Sequence, residues 1–270
     1  MNIFKSLEEI LVFYSNELLE APLVNSRGST QKEVLFESFM LLDPSNITID
    51  IPDRKFNENY AYAEWLWYVS ANPSSNNIGK LARIWRDISD EYGNVESNYG
   101  TYLKPQWEWV KNCLLEDRDT RRATFVINQP YHKFKNSADY PCTQYVQFFI
   151  RNNKLHMGVS MRSNDLVFGL CNDIFTFSLF QQLMLNELNQ SGANLELGQY
   201  FHHAGSLHVY ERHFDMIEKI SSFKDFKEGN VRLREEVNWK NLNVERFPEI
   251  EKTKEEIYDF VDKKKLEFLK

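Results

Sequence analysis

The stretch Met161-Arg162-Ser163-Asn164-Asp165-Leu166-Val167-Phe168-Gly169-Leu170-Cys171-Asn172-Asp173 decides how this chain is read. It sets a cation, a hydroxyl and two carboxylates along one crossing from strand to helix. Residues 154–162, leading into it, alternate apolar and polar as a half-buried strand does, and residues 173–189, leading out, repeat their apolar positions at helical spacing. A crossover of this kind is a nucleotide site in an α/β protein. Just upstream, Cys142 heads a second alternating strand, 142–151, and Asn152-Asn153 supplies the turn between the two. That cysteine is placed to project its sulfur into a cleft.

Outward from this centre the elements follow local chemistry. Ser6 stands three residues before Glu9 at the head of an apolar-periodic run, so 6–20 is expected as a capped helix. Asn25 to Thr30 breaks the pattern, and 34–40 and 47–51 read as strands. Helices are expected at 60–69 and 104–115, a strand at 123–127, and strand signals return at 199–212. The last fifty residues are rich in Glu and Lys, with Ile257, Phe260 and Val261 at helical offsets, which predicts a solvent-facing helical tail. No repeat, low-complexity tract or linker divides the chain. The expectation is one α/β (α+β) domain, a mixed β-sheet flanked by helices over 1–220, with 221–270 as a charged helical extension packed on it.

A chain of 270 residues that is 42% hydrophobic can bury one large core. The formal charge of −7 opposes a general nucleic-acid-binding role, which calls for net positive charge or a long basic stripe. No signal peptide or membrane span is read from the sequence, so a cytoplasmic protein with reduced thiols is expected. Cys113, Cys142 and Cys171 lack metal-ligand spacing, and there is no G-x-G-x-x-G or Walker loop. No metal is expected.

A thiolate is a strong nucleophile when its sulfur is accessible near cationic or dipolar support. Cys142 is the candidate, although a lone cysteine is more often a small buried apolar residue; Cys113 and Cys171 keep that structural reading. Glu64 lies among aromatics in Tyr62-Ala63-Glu64-Trp65-Leu66-Trp67, which would desolvate it and raise its pKa. Arg27, Arg121, Arg122 and Arg162 could bind a phosphate through paired hydrogen bonds, although each alone is an ordinary surface charge. Asp173 near the start of a helix could equally be its cap.

Several of these stretches together resemble the thymidylate synthase superfamily, over about residues 20 to 215. They are Pro141-Cys142-x-x-x-x-Gln147, Glu64-x-x-Trp67, Tyr99-Gly100, Gly205-Ser206-Leu207-His208-Val209-Tyr210 and the run from Met161 to Asp173. Asp173 stands where a thymidylate synthase carries Asn, and Thr143 where many carry His; both move the resemblance to the deoxycytidylate (dCMP) hydroxymethylases of the phage type. The resemblance implies a thymidylate synthase-like fold with Cys142 as nucleophile. Glu64 then organises water and protons, Tyr99 assists loss of the C5 proton, and Asp173 reads the base. Arg27, Gln147, Arg162, Ser163 and Asn164 would contact the nucleotide, and His208 and Tyr210 the ribose 3′-hydroxyl. Arg121 and Arg122 would come from the neighbouring subunit of an obligate homodimer. Trp85, Asp165 and Gly169 would line the pterin of 5,10-methylenetetrahydrofolate.

Uracil offers a donor at N3 and an acceptor at O4, whereas cytosine offers an acceptor at N3 and a donor at N4, so a carboxyl group at 173 favours cytosine. The implied course is attack of Cys142 on C6, capture of the folate methylene by C5, loss of the C5 proton, departure of tetrahydrofolate and addition of water. The rivals are hydroxymethylation of CMP or dUMP, thymidylate synthesis itself, and a non-catalytic nucleotide-binding paralogue. Asp173 opposes the uracil readings, and the set Cys142, Glu64 and Tyr99 opposes the non-catalytic one. The ending Lys263 to Lys270 replaces a short apolar tail, which implies incomplete exclusion of water.

Overall fold

The computed structural model describes residues 1–242 apart from Arg27, Asn136 and Glu228. Its strands are β1 (Asn2–Phe4), β2 (Leu23–Ser26), β3 (Ser29–Leu41), β4 (Thr124–Val126), β5 (Thr143–Arg151), β6 (Lys154–Met161), β7 (Asn164–Asp165) and β8 (Glu196–Tyr210). They form one sheet in the order β1-β3-β8-β6-β5-β4, with β2 paired to β3 and β7 to β8. The sheet is mixed: β6 and β7 run parallel to β8, while β3–β8 and β5–β6 are antiparallel. Its helices are α1 (Leu7–Glu20), α2 (Glu58–Ser70), α3 (Ile78–Leu81), α4 (Ile84–Asp87), α5 (Gly100–Glu116), α6 (Cys171–Gln190) and α7 (Phe214–Ser221).

The local signals act as their chemistry requires. Ser6 Oγ accepts from Glu9 N at 3.1 Å and caps α1. Asn152 and Asn153 turn β5 into β6 with φ of 51° and 60°, the pair of positive values that a tight hairpin needs. Along β5 and β6 the pleat buries Val146, Phe148, Ile150, Leu155, Met157 and Val159. Helix α6 packs on this face against β6 and β8. The Gln181 amide on α6 donates to Leu155 O at 2.9 Å and Gly198 O at 3.3 Å, satisfying carbonyls where the β6–β8 pairing shifts register.

Residues 166–190 are long and apolar enough to cross a membrane by length and composition, contrary to the sequence reading. They are instead the central core helix, with 78% of the apolar window buried in the fold.

Residues 47–51 are not a strand. Ile47, Ile49 and Ile51 are buried, but the backbone N–H groups of Ile47 and Thr48 bond Gly229 O rather than a sheet ladder. Among the described residues of 222–242 the backbone is irregular, not helical. Its backbone is held by α6 side chains, with Gln182 bonding Val231 and Leu233, and Asn186 bonding Arg234 and Val237. Trp239 seals this segment onto the domain, 4.6 Å from the Trp107 ring. The expected tail helix carrying Ile257, Phe260 and Val261 lies outside the described residues.

Candidate active site

A cleft of about 700 Å³ opens at the C-terminal ends of β6 and β8, where Cys142, Arg162, Asp173, Glu64, Trp85 and His208 meet. It is assembled by the crossover quoted above. After Met161 the chain makes the two-residue strand β7, which pairs Asn164 with Leu207 and Asp165 with His208, and then winds through a π-turn at Leu166–Leu170 straight into α6. Asp165 Oδ2 accepts from Phe168 N at 2.8 Å and Gly169 N at 3.4 Å. Asp165 is therefore the cap of this helical run, and Asp173 is not.

Asp173 is instead a wall of the cleft. Asn164 Nδ2 donates to its Oδ2 at 2.8 Å, and burial pushes its pKa up to about 7, the Asn164 bond and the Asp165 charge acting in opposite directions. Glu64, on α2, is raised further, to about 8, first by burial and then by the Asp173 charge. It accepts from Tyr60 OH at 3.0 Å, and that hydroxyl accepts from Trp85 Nε1 at 2.8 Å. Each carboxyl group thus has one oxygen committed as acceptor to a protein donor. A carboxyl that titrates near neutrality can hold or release a proton during a reaction.

Cys142 is half-buried in the turn before β5. Arg162 builds that turn: its Nε donates to Pro141 O at 3.1 Å, its Nη2 to Tyr140 O at 2.8 Å, and its backbone N to Cys142 O at 2.9 Å. Five N–H groups leave this guanidinium donors for an anion as well. Tyr99 is buried, stacked between Tyr68 at 5.0 Å and Phe177 at 5.6 Å, and reaches the cleft from the start of α5. A Cβ at Gly100 would lie 1.5 Å from Tyr68 O, so only glycine lets α5 start this close to α2.

On the opposite wall β3 and β8 present Glu33 and His208 in register, and Ser206 Oγ donates to Glu33 Oε1 at 2.5 Å. His208 and Tyr210 both line the cleft, their rings 5.1 Å apart.

Ser163, Asn164, Asp165, Gly169, Tyr99 and Tyr210 are thus brought together with the six residues above. One expected residue faces away from the cleft. Gln147 is not at the cleft: β5 alternation buries Val146 and Phe148 and turns Gln147 to the other face, where it donates to Arg121 O at 2.8 Å. Arg121 and Arg122 are exposed ahead of β4, at the far edge of the sheet from β3. Arg27 lies outside the described residues, although its neighbours Ser26 and Ser29 line the cleft.

Sequence reasoning missed Tyr60, Tyr68, Glu33 and Asp139 as lining residues. Tyr60 could have been found, since it precedes Glu64 by one helical turn. Glu33 and Asp139 carry no local signal. The residues expected to line the pterin fit an aromatic ligand bearing hydrogen-bond donors: Trp85, with Ile84 and Phe168, supplies apolar surface, and Asp165 Oδ1 is buried without a partner among the described residues.

A family model described as thymidylate synthase matches residues 21–267. The deoxycytidylate 5-hydroxymethyltransferase of Enterobacteria phage T4 is 29% identical over 226 residues, 79% of this chain and 89% of the phage protein. The thymidylate synthase of Bacillus atrophaeus is 26% identical over 185 residues, 64% of this chain and 78% of that one. The thermostable thymidylate synthase A from Bacillus subtilis shares the fold, with a TM-score of 0.75 at 20% identity over 89% of this chain and 93% of its own.

Proposed function

The chain belongs to the thymidylate synthase family, and from that premise we propose that it converts dCMP to 5-hydroxymethyl-dCMP, using methylenetetrahydrofolate and water. The observation that carries this reading is Asp173, a half-buried carboxyl group at the cleft wall with one oxygen held by Asn164 and a pKa raised to about 7. The free, unprotonated oxygen of such a group accepts from the cytosine N4 amine, where uracil would set its O4 acceptor against it. The likeness to the phage T4 enzyme, whose name states this reaction, supports the same choice.

In this reading Arg162 and Ser163 hold the phosphate, His208 and Tyr210 face the sugar, and Cys142 attacks C6. The protonated Glu64 holds water and protons near the base, and Tyr99 assists loss of the C5 proton. Methylenetetrahydrofolate supplies the one-carbon unit, with Trp85, Asp165 and Gly169 on its side of the cleft. Water then adds at the exocyclic carbon in place of hydride.

The working form in this proposal is a homodimer. One sheet face is covered by α6, while the other carries Tyr145, Phe149 and Phe201, and Leu35 and Phe36 are exposed on β3. Joining two such faces would bury this surface and allow Arg121 and Arg122 to serve the partner's cleft. Absorbance during turnover with dCMP tests the reaction: the rise at the dihydrofolate band should be absent, because the folate leaves unoxidised. Dihydrofolate formed in step with product would make the enzyme a methylating synthase.

A further inference from the structure

Behind Asp173 runs a buried line of polar groups that the chemistry above does not use. Asn164 Oδ1 lies 3.0 Å from His202 Nε2, and His202 Nδ1 lies 2.8 Å from Tyr200 OH. Asn164, His202 and Tyr200 are each at least nine-tenths buried, and Asp173, at the cleft wall, is half-buried. Phe39 stacks on the imidazole with centroids 5.0 Å apart, so the ring is held in its plane. We propose that Tyr200 and His202 are positioning residues which, through Asn164, fix Oδ2 of Asp173 as a hydrogen-bond acceptor and thereby determine which pyrimidine the cleft takes. The inference rests on the reading of Asp173 as the residue that meets the base.

The argument is one of donor and acceptor order. Burial lowers the pKa of His202 to about 3, so the ring is neutral and carries one proton. With the Tyr200 hydroxyl donating to Nδ1, that proton sits on Nε2 and faces the Asn164 oxygen. The amide NH₂ then has to face Asp173. Every donor in the line points the same way, and the line ends on Oδ2. A flipped Asn164 amide would set donor against donor at His202, leaving a buried polar group unpaired. The other oxygen, Oδ1, receives no hydrogen bond from any described residue and is the one left for a ligand. A base therefore meets a carboxyl group whose two oxygens are not equivalent. The same order acts on an asparagine at 173: its carbonyl must take the place of Oδ2 and its amine the place of Oδ1. Discrimination between cytosine and uracil then depends on the line as well as on residue 173.

The test is calorimetric binding of dCMP and dUMP, without folate, to H202F, H202Q and Y200F, each with Asp173 or with D173N. The phenylalanine at 202 keeps the stack on Phe39 and removes the donor, the glutamine keeps an amide donor near the Nε2 position, and Y200F removes one hydroxyl. In H202F the dCMP:dUMP affinity ratio should move towards unity by about tenfold in either background, as loss of one buried hydrogen-bond constraint predicts. Rescue by H202Q to within about threefold of the parent ratio would mark a directional role rather than mere packing. Should H202F fail to fold, Y200F decides, with a shift in the same sense. Nitrogen NMR of the histidines should show His202 protonated on Nε2. Unchanged ratios in folded H202F and Y200F, or a proton on Nδ1, would overturn the proposal. A wild-type preference for dUMP would instead defeat the dCMP reading, while the line would still be judged by whether its variants shrink that preference.

Discussion

Replacing Asp173 with asparagine exchanges one carboxyl oxygen at the wall of the cleft for an amine while leaving size and shape unchanged. Asn164 Nδ2, 2.8 Å from Oδ2, keeps the new carbonyl oxygen where Oδ2 was, so the amine takes the position of Oδ1. There it meets the cytosine N4 amine as donor against donor, whereas the O4 of uracil is a matched acceptor. A mismatched buried polar contact costs about 1–3 kcal/mol, or about fivefold to 150-fold in affinity. The gain on uracil adds to the loss on cytosine. The ratio of kcat/KM for dCMP over dUMP should therefore fall by at least about tenfold, and by more where loss of the acid also removes activation of C6. The assay is initial-rate kinetics on both nucleotides at saturating methylenetetrahydrofolate, with circular dichroism to confirm folding. A folded, active variant with the wild-type ratio would refute the assignment of Asp173 as the base-reading group.

Other outcomes follow from the same geometry. Cys142→Ser should abolish turnover and leave dCMP binding within about threefold by calorimetry, because the nucleophile goes while Arg162 and its turn remain; substantial residual turnover would exclude Cys142. For Glu64, the folded pKa of about 8 lies above the ordinary 4.5, so the stability tied to its protonated form is present below about pH 4.5 and lost as pH rises through 8. Glu64→Gln should accordingly gain in melting temperature over wild type as pH is raised from 5 to 8.5 (buffers on the order of these values bracket the transition), and a pH-independent difference would contradict a buried, proton-holding Glu64. Mixing inactive Cys142→Ser chains with inactive Arg122→Ala chains should restore part of the activity by assembling one complete site per mixed dimer. Confirmed exchange of subunits without recovery would count against a shared site.

What the sequence disclosed and what it hid divide along the range of the interactions. The Ser6 cap and the Asn152-Asn153 turn are bonds between residues a few positions apart, and local residue types specify them. The run from Met161 to Asp173 was legible as a strand running into a helix because the two follow one another along the chain, whereas its π-turn gave no signal. Residues 47–51 misled because isoleucines buried in an extended segment look like a strand, while their backbone partner, Gly229, lies far along the sequence. Gln147 misled because a motif match carries no information about which face of a pleated strand a side chain takes. The two readings left open at Asp173, cap or base contact, needed Asp165 to be seen making the cap bonds to Phe168 and Gly169. His202 and Tyr200 gave no signal, since they act through Asn164, which sits on a different strand 38 positions away from His202.

The central claim is hydroxymethyl transfer to a cytosine nucleotide, and mass analysis of the products tests it most directly. The purified protein is incubated with methylenetetrahydrofolate and, in separate reactions, with dCMP, CMP, dUMP and UMP. The account predicts 5-hydroxymethyl-dCMP as the main product, accompanied by tetrahydrofolate. Thymidylate and dihydrofolate from dUMP, or no modified nucleotide from any of the four, would contradict it.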